Sequence, residues 1–107
     1  MIINLTPHAI TIMLEQPMVI EPTFPPARVS VANTPAEPVD GIPTVRTVIG
    51  TVENLPEPAE GVVYVVSALV AQQCQDRNDV FAPDTSPTGA VRDDKGLIIG
   101  VKGLLRY

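Results

Sequence analysis

Cysteine and histidine occur once each in the 107 residues, tryptophan not at all, and aromatic residues make up only 4%. A lone Cys74 leaves no partner for a disulfide within the chain and no thiolate set for a zinc site, and a lone His8 makes a mononuclear metal centre of the common kind an unsuitable reading. No cofactor is implied. With so few aromatic rings, the 45% hydrophobic content must fill one core with Val, Ile, Leu and Ala, and the β-branched members favour a pleated surface. Basic residues are also scarce, seven against twelve acidic, for a net charge of −5 without an acidic tail or a basic run. Such a surface repels nucleic acid, whose binding rests first on phosphate neutralisation. No apolar run approaches the roughly 20 residues that cross a bilayer, and the N-terminal stretch lacks the basic start and small-residue cleavage site of a signal peptide. The expectation is a single domain over residues 1–107, cytoplasmic, with no membrane or nucleic-acid partner.

What the chain does contain is short strand-like runs punctuated by proline. MIINL and AITIML flank Thr6-Pro7-His8 and alternate as strands meeting at a bend. Most of the twelve prolines fall between residues 15 and 43; that density prevents long helix and points to edge strands and turns, with 28–32 the strand within it. Residues 44–53 alternate again, with a bulge or bend expected at Gly50. GVVYVV is a continuous apolar run, as in a central strand buried on both faces. Ser67 then caps a short helix over residues 67–75. The last third reads as a hairpin turning at Asp94-Lys95-Gly96, with Gly100 and Gly103 marking bends or close backbone approach. The predicted fold class is mainly β within α+β, a small antiparallel sheet or barrel with one short helix.

Each candidate for chemistry has a plainer explanation to set against it. Ser67 between strand and helix lacks the glycines of a nucleophile elbow, since Val65 and Leu69 stand in their places. Nothing in the spacing links Cys74 to His8, and free cysteine is usually a core residue. Histidine is the side chain type that titrates near neutrality, yet His8 sits among the turn formers Asn4, Thr6 and Pro7, which suits a structural or ligand-contacting role better than a catalytic one. The contest is closest in RNDVFAPDTSPTGAVRD, residues 77–93. Asp84 can close an Asx-turn that organises Thr85 and Ser86, and Arg77 and Arg92 are fork-shaped anion donors at the two ends. The plain alternative is a self-satisfied loop whose arginines pair with Asp76, Asp79 and Asp93.

Asn4-Leu5-Thr6-Pro7-His8, LPEPAEGVVYVVSALVAQ, DVFAPDTSPTGAVRD and GLIIGVKGL together resemble a family of small uncharacterised proteins encoded by bacteriophages and prophages. The resemblance covers most of the chain outside residues 14–43 and implies a phage-type protein in the host cytoplasm; it brings no catalytic signature. From residues and context together, the expected function is a non-enzymatic binding protein, a homo-oligomer, that holds a phosphorylated or nucleotide-like ligand or a host protein and counteracts a host defence system. Asn4, Thr6, His8, Arg77, Asp84, Thr85 and Arg92 are its expected ligand-binding residues. The alternatives are a structural or accessory virion protein and, third, a nucleotide-processing enzyme with His8 as acid/base and Asp84 as its orienter.

Overall fold

A computed structural model describes all 107 residues. The strands are β1 (Ile2–Asn4), β2 (Ile10–Ile12), β3 (Met18–Ile20), β4 (Arg28–Val39), β5 (Ile42–Glu53), β6 (Val63–Val65), β7 (Val80–Pro83), β8 (Ala90–Arg92), β9 (Ile98–Val101) and β10 (Leu104–Leu105), with one helix, α1 (Ala68–Gln72). The fold is mainly β with a single short helix, as the composition predicts. The strands form two four-stranded sheets, in the orders β1-β6-β7-β10 and β3-β2-β9-β8, and a separate two-stranded ribbon of β4 and β5.

Pairing is mixed rather than predominantly antiparallel at the centre. β6 runs parallel to both β1 and β7, and β2 runs parallel to β9; the outer pairs β2–β3, β7–β10 and β8–β9 are antiparallel. Parallel neighbours cannot be joined by a tight turn, and α1 supplies the crossover from β6 to β7. Ser67 caps α1 as its sequence position predicts: it is extended (φ −63°, ψ 157°) and its Oγ accepts from the Val70 amide at 3.4 Å.

β6 also organises the packing. Its run is apolar on both faces because each face meets a different core. Tyr64 and the following Val66 pack with Leu5, Ala27, Val70, Ala71, Cys74, Val80 and Ala82. Val65 faces the other way, against Ile10, Ile12, Ile20 and Val101 between the two sheets. Burial pushes the Cys74 thiol pKa up, which keeps it protonated and unreactive. At Gly100 on β9 a Cβ would stand 2.9 Å from the Thr11 carbonyl and 2.7 Å from Met13 Cγ, so the close approach expected there is the contact that lets β9 lie beside β2. The β8–β9 hairpin turns through Gly96 at φ +82°, also as expected.

The ribbon is where the proline-rich segment departs from its predicted form. Instead of ending near residue 32, β4 continues through Pro35 and Pro38 to Val39, pairs with β5, and turns back through Asp40 (φ 50°) and Gly41 (φ 79°). A two-stranded ribbon has two outer edges, and a proline there loses no ladder hydrogen bond. The bulge expected at Gly50 is present: Ser30 opposes both Gly50 and Thr51 between the pairs Val29–Val52 and Val31–Ile49. Val29 and Val52 root the base of the ribbon on the first core, and the rest projects as an arm. The radius of gyration is 16.3 Å, against about 13 Å for a compact chain of this length.

Candidate functional site

The Asn-Leu-Thr-Pro-His segment is built around a side chain that never meets solvent. Asn4 is fully buried at the end of β1. Its Nδ2 donates to the carbonyls of His8 at 2.8 Å and Ile20 at 3.0 Å, and its Oδ1 accepts from the Thr6 amide at 2.9 Å. The buried Thr6 hydroxyl lies 2.6 Å from the same Oδ1 and 2.9 Å from the His8 carbonyl, sharing its proton between them. No buried side-chain polar atom in the molecule lacks a partner. Asn4 therefore ties β1 of one sheet to β3 of the other and closes the bend that carries His8, so its hydrogen-bonding capacity serves the fold rather than a ligand. His8 is exposed at the tip of that bend, and its ring makes no hydrogen bond within the chain.

Beside His8 opens a cavity of about 590 Å³. Four separate segments wall it: the bend and start of β2 (residues 6–11), Ser67 and Ala68 at the start of the helix, Pro83 at the end of β7 with Thr85 beyond it, and Ile98–Val101 of β9. Ile10 and Val101 belong to the core between the sheets, whereas Ile98 and Ile99 keep about half their surface exposed. The cavity thus has an aliphatic floor and a polar side formed by Thr6, His8, Ser67 and Thr85.

Thr85 is placed by the loop in which the predicted Asx-turn forms. Asp84 Oδ1 accepts from the Ser86 amide at 3.2 Å and from its hydroxyl at 2.6 Å. The Asp84 amide donates to the Gly103 carbonyl at 3.1 Å, and Lys102 N donates to the Gly89 carbonyl at 2.8 Å, so both ends of the loop are pinned to the turn between β9 and β10. The Asp84 carboxylate packs onto Gly89, leaving no room for a Cβ there. Asp84 positions Thr85 without lining the cavity, and no hydrogen bond joins it to His8.

The two arginines expected to frame an anion lie elsewhere. Arg77 Nε and Nη2 donate to Asp79 at 3.0 and 2.8 Å, its Nη1 donates to the Pro56 carbonyl at 3.0 Å, and its guanidinium lies 5.8 Å from the Tyr64 ring centroid. All three nitrogens of the group and one of its faces are engaged, as in the self-satisfied alternative. Arg92 donates to the Gly96 carbonyl at 2.6 Å across its own hairpin, while Asp93 accepts from the amides of Lys95 and Leu97 instead of from an arginine. Of the seven expected ligand contacts, the structure brings Thr6, His8 and Thr85 to one cavity, gives Asn4 and Asp84 supporting positions behind them, and leaves Arg77 and Arg92 outside. Sequence reasoning did not single out the aliphatic wall, Ile98 and Ile99; the run of three apolar residues after Gly96, Leu97 to Ile99, is the signal for it, since an outer hairpin strand with one face in water ordinarily alternates.

The Arg77–Asp79 pair carries a pH signature. Hydrogen bonding to Arg77 holds the Asp79 carboxyl below its ordinary pKa, and the same bond raises that of Arg77. A depressed carboxyl pKa stabilises the fold at pH values above the unfolded value, about 3.9, and the contribution is lost as pH falls through the folded value. Asp79→Ala is therefore expected to lower unfolding free energy by about 2 kcal/mol at pH 7, with the difference from wild type closing as urea titrations are taken from pH 5 towards pH 2. An offset that stays constant over that range would contradict the pairing.

The chain matches no family model, no curated protein and no solved structure, so the cavity has to be read from its own chemistry.

Proposed function

We propose that this chain is a non-enzymatic binding protein whose cavity takes the ring portion of a nucleotide-like small molecule. The observation that carries the reading is the cavity itself. Its volume of about 590 Å³ falls within the roughly 300–1,000 Å³ of small-molecule sites. An aliphatic floor beside a few convergent polar groups suits a flat heterocycle with donors and acceptors on its rim. No lysine or arginine lines the cavity, so a phosphate finds no fork-shaped donor there and recognition rests on the ring. In the phage context implied by the sequence, such a protein sequesters a host signalling or defence metabolite in the cytoplasm.

Thermal-shift and calorimetric titrations with bases, nucleosides, mononucleotides and cyclic nucleotides test this. At least one ring class is expected to stabilise the protein with little dependence on phosphorylation. His8→Ala is expected to weaken that binding about tenfold, the loss of one hydrogen bond of about 1.4 kcal/mol, without changing the fold. If nothing in the panel shifts the melting temperature, or if binding requires phosphate, the reading fails.

The projecting ribbon supports the second reading, a structural or accessory virion protein, because arms of this kind join subunits. Abundant copies in the mass spectrum of purified particles would favour it over the free binder. The enzyme reading draws no support from the geometry, since Asp84, which would orient His8, makes no hydrogen bond to it and does not line the cavity.

A further inference from the structure

We infer that the β4–β5 arm is a self-association device, in which the outer edge of β5 pairs antiparallel with β5 of a second copy to make a four-stranded sheet across a two-fold axis. The inference stands independently of what the cavity holds.

The two outer edges of the ribbon are unlike. β4 carries Pro35 and Pro38, which cannot donate to a further strand, and it is blocked against growth as natural edge strands often are. β5 has a proline only at Pro43, beside the tip, and then reads Thr-Val-Arg-Thr-Val-Ile-Gly-Thr-Val over residues 44–52. That composition is strongly strand-forming, and an exposed edge of this kind is a template for another strand. Pro35 pairs with Val45. Because a proline fits a ladder only where its nitrogen faces outward, directly opposed Val45 faces outward as well, and so, two and four residues on, do Thr47 and Ile49. Joining two β5 edges leaves the proline-bearing β4 edges outermost on both sides, so the assembly closes at two copies.

The arm's low charge and exposed surface fit a second copy as the occupant. Residues 28–53 hold Arg28 and Arg46 against Glu37, Asp40 and Glu53, a net of −1 out of the chain's −5, so little charge opposes the approach of two arms. The chain exposes 7310 Å², where a compact protein of its mass exposes about 5,800 Å². Pairing the two β5 edges covers part of that excess on each copy. Val45 and Val48 keep half or more of their surface exposed on the free arm and would be shielded in the dimer.

Sedimentation equilibrium on the full chain tests the inference. Wild type is expected at twice its 11.4 kDa mass, and Val45→Pro, which removes an outward amide and leaves the β4–β5 ladder its bonds, is expected to sediment as a monomer with an unchanged β-type circular dichroism spectrum. Amide exchange supplies a measurement free of mutation: the Val45, Thr47 and Ile49 amides are expected to be protected at high protein concentration and to exchange freely on dilution. A wild-type monomer at 0.1 mM order of concentration, a dimer that survives Val45→Pro, or outward amides whose exchange ignores concentration would each overturn it.

Discussion

Asn4→Ala is expected to destabilise the protein by about 3–5 kcal/mol in urea unfolding at neutral pH. Truncation strands the Thr6 amide, which Asn4 satisfies at 2.9 Å, a buried orphan costing about 1–3 kcal/mol; it also takes one of two donors from the Ile20 carbonyl, which keeps its Ile10 partner in the β2–β3 ladder, and the cavity left by the amide adds to this. The His8 carbonyl keeps the Thr6 hydroxyl as a donor, so its share of the loss is smaller. A 107-residue domain has only about 5–15 kcal/mol of stability in all, so one amide accounts for a third or more of it. Asn4→Asp gives a sharper result. The carboxylate puts an anionic oxygen where Nδ2 donates to two carbonyls, so the folded state resists ionisation and raises the carboxyl pKa. By linkage the penalty is small below about pH 4, the ordinary carboxylate value, and grows as pH rises above it. The Asn4→Asp variant therefore gains ground on wild type as pH falls. A loss below about 1 kcal/mol for Asn4→Ala would mean that the buried network around it is not formed.

That result bears on how much of the molecule its sequence discloses. Asn4 and Thr6 look like turn formers near a ligand because residue type and neighbourhood are all a sequence offers; that the partners of Asn4 include a carbonyl 16 residues away is a fact of tertiary structure. Features decided by local chemistry are legible in advance: the Ser67 cap, the Gly96 turn, the bulge at Gly50, the Asx-turn at Asp84 and the two-faced burial of the run around β6. Features decided by which strands meet are not. The parallel pairing of β1, β6 and β7 leaves only the uninterrupted apolar run as its trace. The arm hides behind prolines that are breakers in a central strand and harmless at a free edge. Arg77 shows the intermediate case: Asp79, two residues on, is an evident partner, but the Pro56 carbonyl and the Tyr64 ring that complete its surroundings come from a distant connector and strand. The candidate site was half legible for the same reason. Its polar rim, His8, Thr6 and Thr85, stands in motifs, whereas its aliphatic wall becomes a wall only once β9 lies beside β2.

Gly89→Ala is expected to cost about 2–4 kcal/mol, for a reason the backbone does not supply. Gly89 is not among the glycines held at positive φ, so alanine carries no conformational penalty there. The obstacle is the Asp84 carboxylate, whose three terminal atoms are the nearest neighbours of the added Cβ and lie far inside van der Waals contact with it. To admit the methyl the carboxylate must swing away, giving up the Ser86 amide and hydroxyl. Overpacking of about 1–3 kcal/mol then adds to lost bonds to a charged acceptor. A double-mutant cycle isolates this cause. With Asp84→Ala in place the clashing atoms are gone, and adding Gly89→Ala is expected to cost under about 0.5 kcal/mol or to stabilise slightly, because alanine restricts the unfolded chain. The coupling between the two sites is thus expected to be about 2 kcal/mol or more, well beyond the additivity of independent positions. Additive losses would place the requirement for glycine in the backbone path of residues 86–90. Strong coupling would establish that the carboxylate holds this loop shut on itself, so that Thr85 is presented to the cavity by a rigid turn and Asp84 is not free to meet a ligand.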